Sequence, residues 1–183
     1  MLNKRIIYSL LIPIIFLNQS CKTDNQAMDQ IKPMKTVEYV DLDRFMGDWY
    51  VIASMPTIIE KGAVNAIESY KLNDKGEVET TFTFRKKTPN GKKKVYKPKG
   101  VIYNKETNAE WRMQFLWPFK MPFLIIDLAE DYSHTVIGYP NRNYVWIMAR
   151  KPQMADETYA RIIKKLKSVS YDVSRIEKVP QIW

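Results

Sequence analysis

The chain has few side chains capable of chemistry. Its 183 residues include one cysteine, Cys21, and one histidine, His134. A single thiol excludes a disulfide framework and every zinc site that needs more than one thiolate. A Ser-His-Asp triad would have to use His134, and so would a haem held by a histidine. A lone histidine in a strand is far more often packed or solvated. Asp127, Glu130 and Asp131 gather near one turn. No paired base, phosphate-binding loop or metal-ligand spacing accompanies them. These residues leave a non-enzymatic binding role, with no cofactor and no metal.

Cys21 points to a different chemistry. Lys4 and Arg5 precede an apolar run from Ile6 to Leu17, broken by Ser9 and Pro13. The run is short for a bilayer span and suits the core of a signal peptide. Residues 1–20 are therefore expected to be a signal peptide, 21–36 a polar flexible tether, and 37–183 the folded domain. A cysteine directly behind such a core resembles a bacterial lipoprotein signal, in which lipid is attached to the new N-terminal cysteine. Ser20 is the small residue that pattern wants, while Asn18 stands where leucine is usual. A plain secretory peptide with an incidental cysteine is the alternative. Loss of residues 1–20 removes Lys4 and Arg5 and no acid, so the net charge falls from +9 to +7.

The elements that must position any site are mostly strands. Hydrophobic residues make up 45% of the chain, enough for a substantial core and too many for a disordered one. Short runs of β-branched and aromatic residues, separated by turn signals, predict strands at 48–55, 65–73, 77–87, 92–103, 109–117, 122–129, 133–139 and 143–150. Eight consecutive strands with hairpin-length links suggest an up-and-down antiparallel β-barrel, which can hold one small ligand. A sandwich has the same spacing. Val78, Thr80, Phe82 and Phe84 alternate with more polar neighbours, as do Trp111, Met113 and Phe115. Residues 122–129 run apolar without a break and give no phase. At 143–150 both faces are apolar, so that strand needs an outer cover. Tyr159, Ile162, Ile163, Leu166 and Val169 share one face of a helix predicted over 155–168, opened by acids and closed by lysines.

Gly47-Asp48-Trp49-Tyr50 at the start of this meander resembles the first signature of the lipocalin family. Asp131-Tyr132 resembles the second, and Trp146-Ile147-Met148-Ala149-Arg150 the third. The stretch from about 37 to 182 resembles the bacterial lipocalins of the outer-membrane lipoprotein type, which are related to apolipoprotein D. The resemblance implies an eight-stranded barrel with one C-terminal helix on its wall. It puts Trp49 at the closed end with Arg150 over its indole. It puts the links near 56–64, 88–91, 118–121 and 140–142 around the mouth, and the protein in the cell envelope, facing the periplasm or the cell surface. It also implies a small hydrophobic ligand, a fatty acid or a lysophospholipid, bound and transported in the barrel.

The barrel lining is expected to include Val51, Ala53, Tyr70, Phe82, Phe84 and Tyr103, followed by Met113, Phe115, Trp146 and Met148. Tyr103, Arg112 and Lys120 are expected to meet the head group. Arg85, Lys86, Lys87, Lys92, Lys93, Lys94, Lys97 and Lys99 crowd one hairpin without an acid. They are either a solvated edge that prevents strand pairing or a positive rim for anionic lipid. Nucleic acid is not expected as the partner of an exported chain. The apolar stretch 116–123 could serve as a ligand portal, a membrane-touching tip, a contact with a second copy in a homodimer, or a cover over the barrel. An alternative function follows: a surface interaction protein that uses this loop and has no physiological small ligand.

Overall fold

A computed structural model describes residues 32–183. The expected signal peptide, residues 1–20, and Cys21 lie outside the described residues. A short helix α1 (Leu42–Phe45) leads into β1 (Gly47–Ser54), β2 (Ala63–Leu72), β3 (Glu77–Lys86), β4 (Lys93–Tyr96) and β5 (Lys99–Ile102). Strands β6 (Glu110–Leu116), β7 (Phe119–Leu128), β8 (His134–Gly138) and β9 (Val145–Ala149) follow, then α2 (Asp156–Ser168) and the two-residue β10 (Glu177–Lys178). All pairings are antiparallel, β9 returns to β1 to close the sheet, and β10 adds to the edge of β1. Since β4 and β5 both pair with β3, they are two pieces of one barrel strand. The result is the closed eight-stranded barrel with a single C-terminal helix that the spacing and the signatures imply.

Several boundaries differ from the expectation, each for a physical reason. The strand expected over 92–103 breaks between Tyr96 and Lys99, where Pro98 has no N–H to give the ladder. The link expected at 118–121 is tighter. Strand β7 already begins at Phe119, opposite Leu116, and the turn holds a cis peptide at Trp117-Pro118. Pro122 lies inside β7 opposite Arg112. Strand β8 stops pairing at Leu124, so β7 has a free edge at Pro122, where proline is tolerated. Residues 32–36, expected to be tether, pack instead. Met34 sits on the outer core, and Arg142 Nη2 donates to the Lys32 carbonyl at 2.5 Å. Gly138 makes room for this segment, because a Cβ there would lie 2.8 Å from Met34 Sδ and 2.9 Å from the Tyr171 hydroxyl.

Two apolar layers share the barrel wall. Trp49, Val51, Tyr70, Phe82, Phe84, Trp111, Met113, Phe123, Ile125 and Met148 fill the inside. Ala53, Met55, Leu124, Ile126, Val136, Val145 and Ile147 form the outer layer, which α2 covers with Ile162 and Leu166. Burial of each of these two helix side chains contributes about 1.5–3 kcal/mol. The cover expected for the last strand is therefore α2. The phase of β7 is also settled: Phe123 and Ile125 face in, Leu124 and Ile126 out.

The closed end is built on α1. Phe45 enters the barrel with its ring 5.0 Å from Trp49, 5.8 Å from Tyr70 and 5.3 Å from Trp111. The helix is too short to be stable alone and its last carbonyls lack internal partners. Arg150 supplies them. Its Nη2 donates to Arg44 O, Phe45 O and Met46 O at 2.6, 3.0 and 2.9 Å, and its Nη1 to Asp48 O at 2.8 Å. The guanidinium carbon lies 3.7 Å above the Trp49 ring. Gly47 has a φ of 91°, where any Cβ is strained, and its Cβ position faces Arg150 Nη1 at 3.5 Å. The second signature joins the same end: the Tyr132 hydroxyl accepts from Asp41 N–H at 2.8 Å, and Arg44 lies 4.0 Å over its ring. Asp131 caps the turn through Ser133 N–H at 3.0 Å.

Arg150→Lys keeps the charge but cannot fork across four carbonyls and an indole. We expect it to lower unfolding free energy by about 2–3 kcal/mol in urea titration, with an unchanged m-value.

Candidate functional site

The opposite end of the barrel carries apolar and basic side chains together. The strands at 54–63, 86–93, 116–119 and 138–145 turn over there. Exposed apolar side chains crown this end: Ile58 is 87% exposed and Trp117 81%, with Ile59, Phe115 and Phe119 beside them in sequence. The basic hairpin adjoins the β1–β2 turn through Lys87 N–H to Gly62 O at 2.7 Å and Lys86 Nζ to Lys61 O at 2.6 Å. Arg142, in the β8–β9 turn, also holds Lys32. The described chain therefore enters the fold at its open end.

Beneath this rim lies a small cavity lined by Glu68, Met113, Phe115, Met121, Pro122, Phe123, Tyr139 and Trp146. Its volume is about 20 Å³, room for roughly one water. Side chains rather than open space fill most of the interior below.

The expected lining residues divide. Val51, Tyr70, Phe82, Phe84, Met113 and Met148 are buried inside the barrel, and Phe115 and Trp146 line the cavity. Ala53 does not face in. It belongs to the outer layer under α2, because a bulge between Val51 and Ala53 shifts the register and inverts the alternation. The three residues expected at the head group, Tyr103, Arg112 and Lys120, lie outside the barrel. Arg112 sits 3.9 Å over the Tyr103 ring and pairs with Glu110 at 2.6 Å, while Tyr103 is 63% exposed. Trp111 and Met113 occupy the inward positions of β6, so Arg112 between them must point out. Tyr50 is outward too, with its ring edge-on to Trp183 at 5.7 Å.

His134 and Asp127 form an outer cluster with α2. Asp127 pairs with Arg161 at 3.0 Å and Lys165 at 3.3 Å, and His134 Nε2 lies 2.7 Å from Arg161 Nη2. Partial burial and the Arg161 charge push the imidazole pKa down. A histidine in this place cannot reach a ligand inside the barrel. The cluster fixes the helix to the wall.

Sequence reasoning missed the two acids inside. Glu68 and Glu60 are each only 7% exposed. Glu68 accepts from the Tyr70 hydroxyl, and Glu60 accepts from Trp146 Nε1 at 2.8 Å and from Thr57 N–H at 2.8 Å. Burial raises the Glu68 pKa from about 4.5 to about 7; the Tyr70 bond opposes the rise and Glu60 adds to it. Burial also pushes the Tyr70 phenol well up, so it remains a donor. A signal was present: Ala66, Glu68 and Tyr70 share one phase of β2, which puts an acid among inward residues.

A family model described as "Lipocalin-like domain" matches residues 40–181. Temperature-induced lipocalin-1 of Arabidopsis thaliana is 32% identical over 165 residues, covering 84% of this chain and 86% of that protein. Outer membrane lipoprotein Blc of Escherichia coli K12 is 27% identical over 145 residues, covering 79% of this chain and 81% of that protein. Among solved structures, insecticyanin from the tobacco hornworm Manduca sexta superposes with a TM-score of 0.65 at 21% identity, covering 81% of this chain and 85% of that one.

The raised Glu68 pKa makes stability depend on pH. The folded chain keeps a proton that the unfolded chain releases above about 4.5. Stability from this group is therefore greatest below that value and falls as pH rises to about 7. Glu68→Gln should remove that fall and raise the Tm at pH 8, as read from thermal melts across pH.

Proposed function

The chain belongs to the lipocalin family, and from that premise we propose that it is a lipid-anchored envelope protein that binds and ferries a single-chain lipid, a fatty acid or a lysophospholipid. Members of this family bind small hydrophobic ligands and are generally binding or transport proteins rather than enzymes. Bacterial relatives are outer membrane lipoproteins.

The observation that carries the reading is the asymmetry of the barrel. Phe45, Trp49 and Trp111 seal one end, and the other opens through Phe115, Met121 and Trp146 beneath exposed apolar tips. Met113 and Met121 are unbranched thioethers that can move aside for an acyl chain. Each methylene then buried contributes about 0.8 kcal/mol.

Entry of the chain at the open end supports an orientation. With the mouth toward the membrane, Ile58 and Trp117 could touch acyl chains and the hairpin lysines could meet anionic heads. A second reading, a surface interaction protein acting through Trp117 and Phe119, is favoured by the small volume of the cavity. The two are separated by ligand binding.

A lysophospholipid should displace an environment-sensitive fatty-acid probe from the purified protein. No displacement, together with loss of a protein partner on Trp117→Ala, would support the second reading. Cys21→Ser should move the protein from the membrane to the soluble fraction on cell fractionation. In that soluble form, changing the exposed Lys87, Lys92 and Lys93 to Gln should weaken binding to phosphatidylglycerol vesicles several-fold at low salt; equal binding would reduce these lysines to a solvated edge.

A further inference from the structure

The cavity has an anionic floor under a cationic rim. Glu68 stands on the cavity wall at the inward phase of β2, and one carboxylate oxygen takes the Tyr70 hydroxyl. The buried Glu60 receives two neutral N–H donors, from Trp146 and Thr57. Among the described residues no cation forms an ion pair with either acid. Lys94 stands level with Phe84, one inward step above Glu68 and Phe82, and Lys86 stands a further step up, committed to the Lys61 carbonyl.

Two further polar atoms are left over. The hydroxyls of Thr80 and Thr57 are buried with no hydrogen-bond partner. Thr80 is 3% exposed and sits across from Tyr70, in phase with Phe82 and Phe84 on the inner face. Thr57 adjoins Glu60.

A buried carboxylate without a counter-charge is costly, and a bound cation offsets that cost. The rings of Trp146, Tyr139 and Phe115 also line the cavity, and aromatic rings attract ammonium groups. A second carboxylate brought to this floor would instead meet like charge at short range. We propose that the group received here is the ammonium end of an amphiphile and that a free carboxylate is refused.

The proposal rests on the reading of the barrel as a lipid-binding site, and it chooses between the two ligands named there. Of the two, only a lysophospholipid whose head carries an ammonium offers the floor a cation. A free fatty acid satisfies only the rim.

Dodecylammonium, laurate and dodecanol, each below its aggregation concentration, are to be competed at pH 8 against the uncharged dye N-phenyl-1-naphthylamine bound to the purified protein. Dodecylammonium should displace the dye at a concentration about tenfold or more below that of laurate. Glu68→Gln, checked by circular dichroism for an intact fold, should bring the two within about threefold. Laurate equal to or better than the amine would overturn the proposal, and so would an unchanged ratio in Glu68→Gln. In either case dodecanol binding would leave the lipid-binding reading standing. Failure of the dye and all three competitors to bind would remove that reading and this proposal together.

Discussion

The whole architecture turns on one guanidinium. Arg150 directly follows β9 and lies 3.7 Å over Trp49 of β1, the two strands whose pairing closes the sheet. Its N–H groups satisfy the terminal carbonyls of α1, a helix of four residues with no independent stability. That satisfaction lets Phe45 stay inside the barrel as a plug. A cylinder of β-strands has two ends, and sealing one with aromatic rings leaves the other as the way in. Function at the open end is thus a consequence of electrostatics and packing at the closed end.

The same barrel segregates charge by face. Outside, acids meet bases: Asp127 has Arg161 and Lys165, and Glu110 has Arg112. The cations of these pairs stay partly in solvent, so each pair contributes little to stability. Inside, Glu60 and Glu68 have only neutral donors, in an environment where a lone charge matters far more. The net positive charge of the chain therefore describes its surface and misdescribes its cavity.

The seam between β1 and β2 shows a further division of labour. Their pairing ends at Tyr50 and Ile67, and β10 then takes the free edge of β1 at Ala53 and Ser54. Gln181 Nε2 donates to both Val51 O and Ala66 O across the gap. Asn65, with a φ of 53°, exchanges side-chain hydrogen bonds with the backbone of Ile182. Backbone groups freed by two bulges are thus satisfied by a segment more than a hundred residues away in sequence.

How much was legible depended on whether the signal was local. Alternation in β3 and β6 and the apolar stripe of α2 follow from the geometry of a single element, so Phe82, Phe84, Met113 and Ile162 were readable from their neighbours. Arg112 was readable too, since Trp111 and Met113 take the inner face of its strand. Bulges were not readable. The insertion at Ile52 moved Ala53 from the lining to the outer layer, and the one near Ile126 put two successive residues, Ile126 and Asp127, on the helix side. The sequence by itself determined the meander, the covering helix and the signature residues that seal the barrel, because periodicity and short motifs are properties of adjacent residues. Only the tertiary structure decided that Glu68 lines the cavity while Glu60 is buried against Trp146 near the mouth, and that the open end is also where the described chain enters. Those relations exist only once distant strands close into one cylinder and water is excluded from its interior.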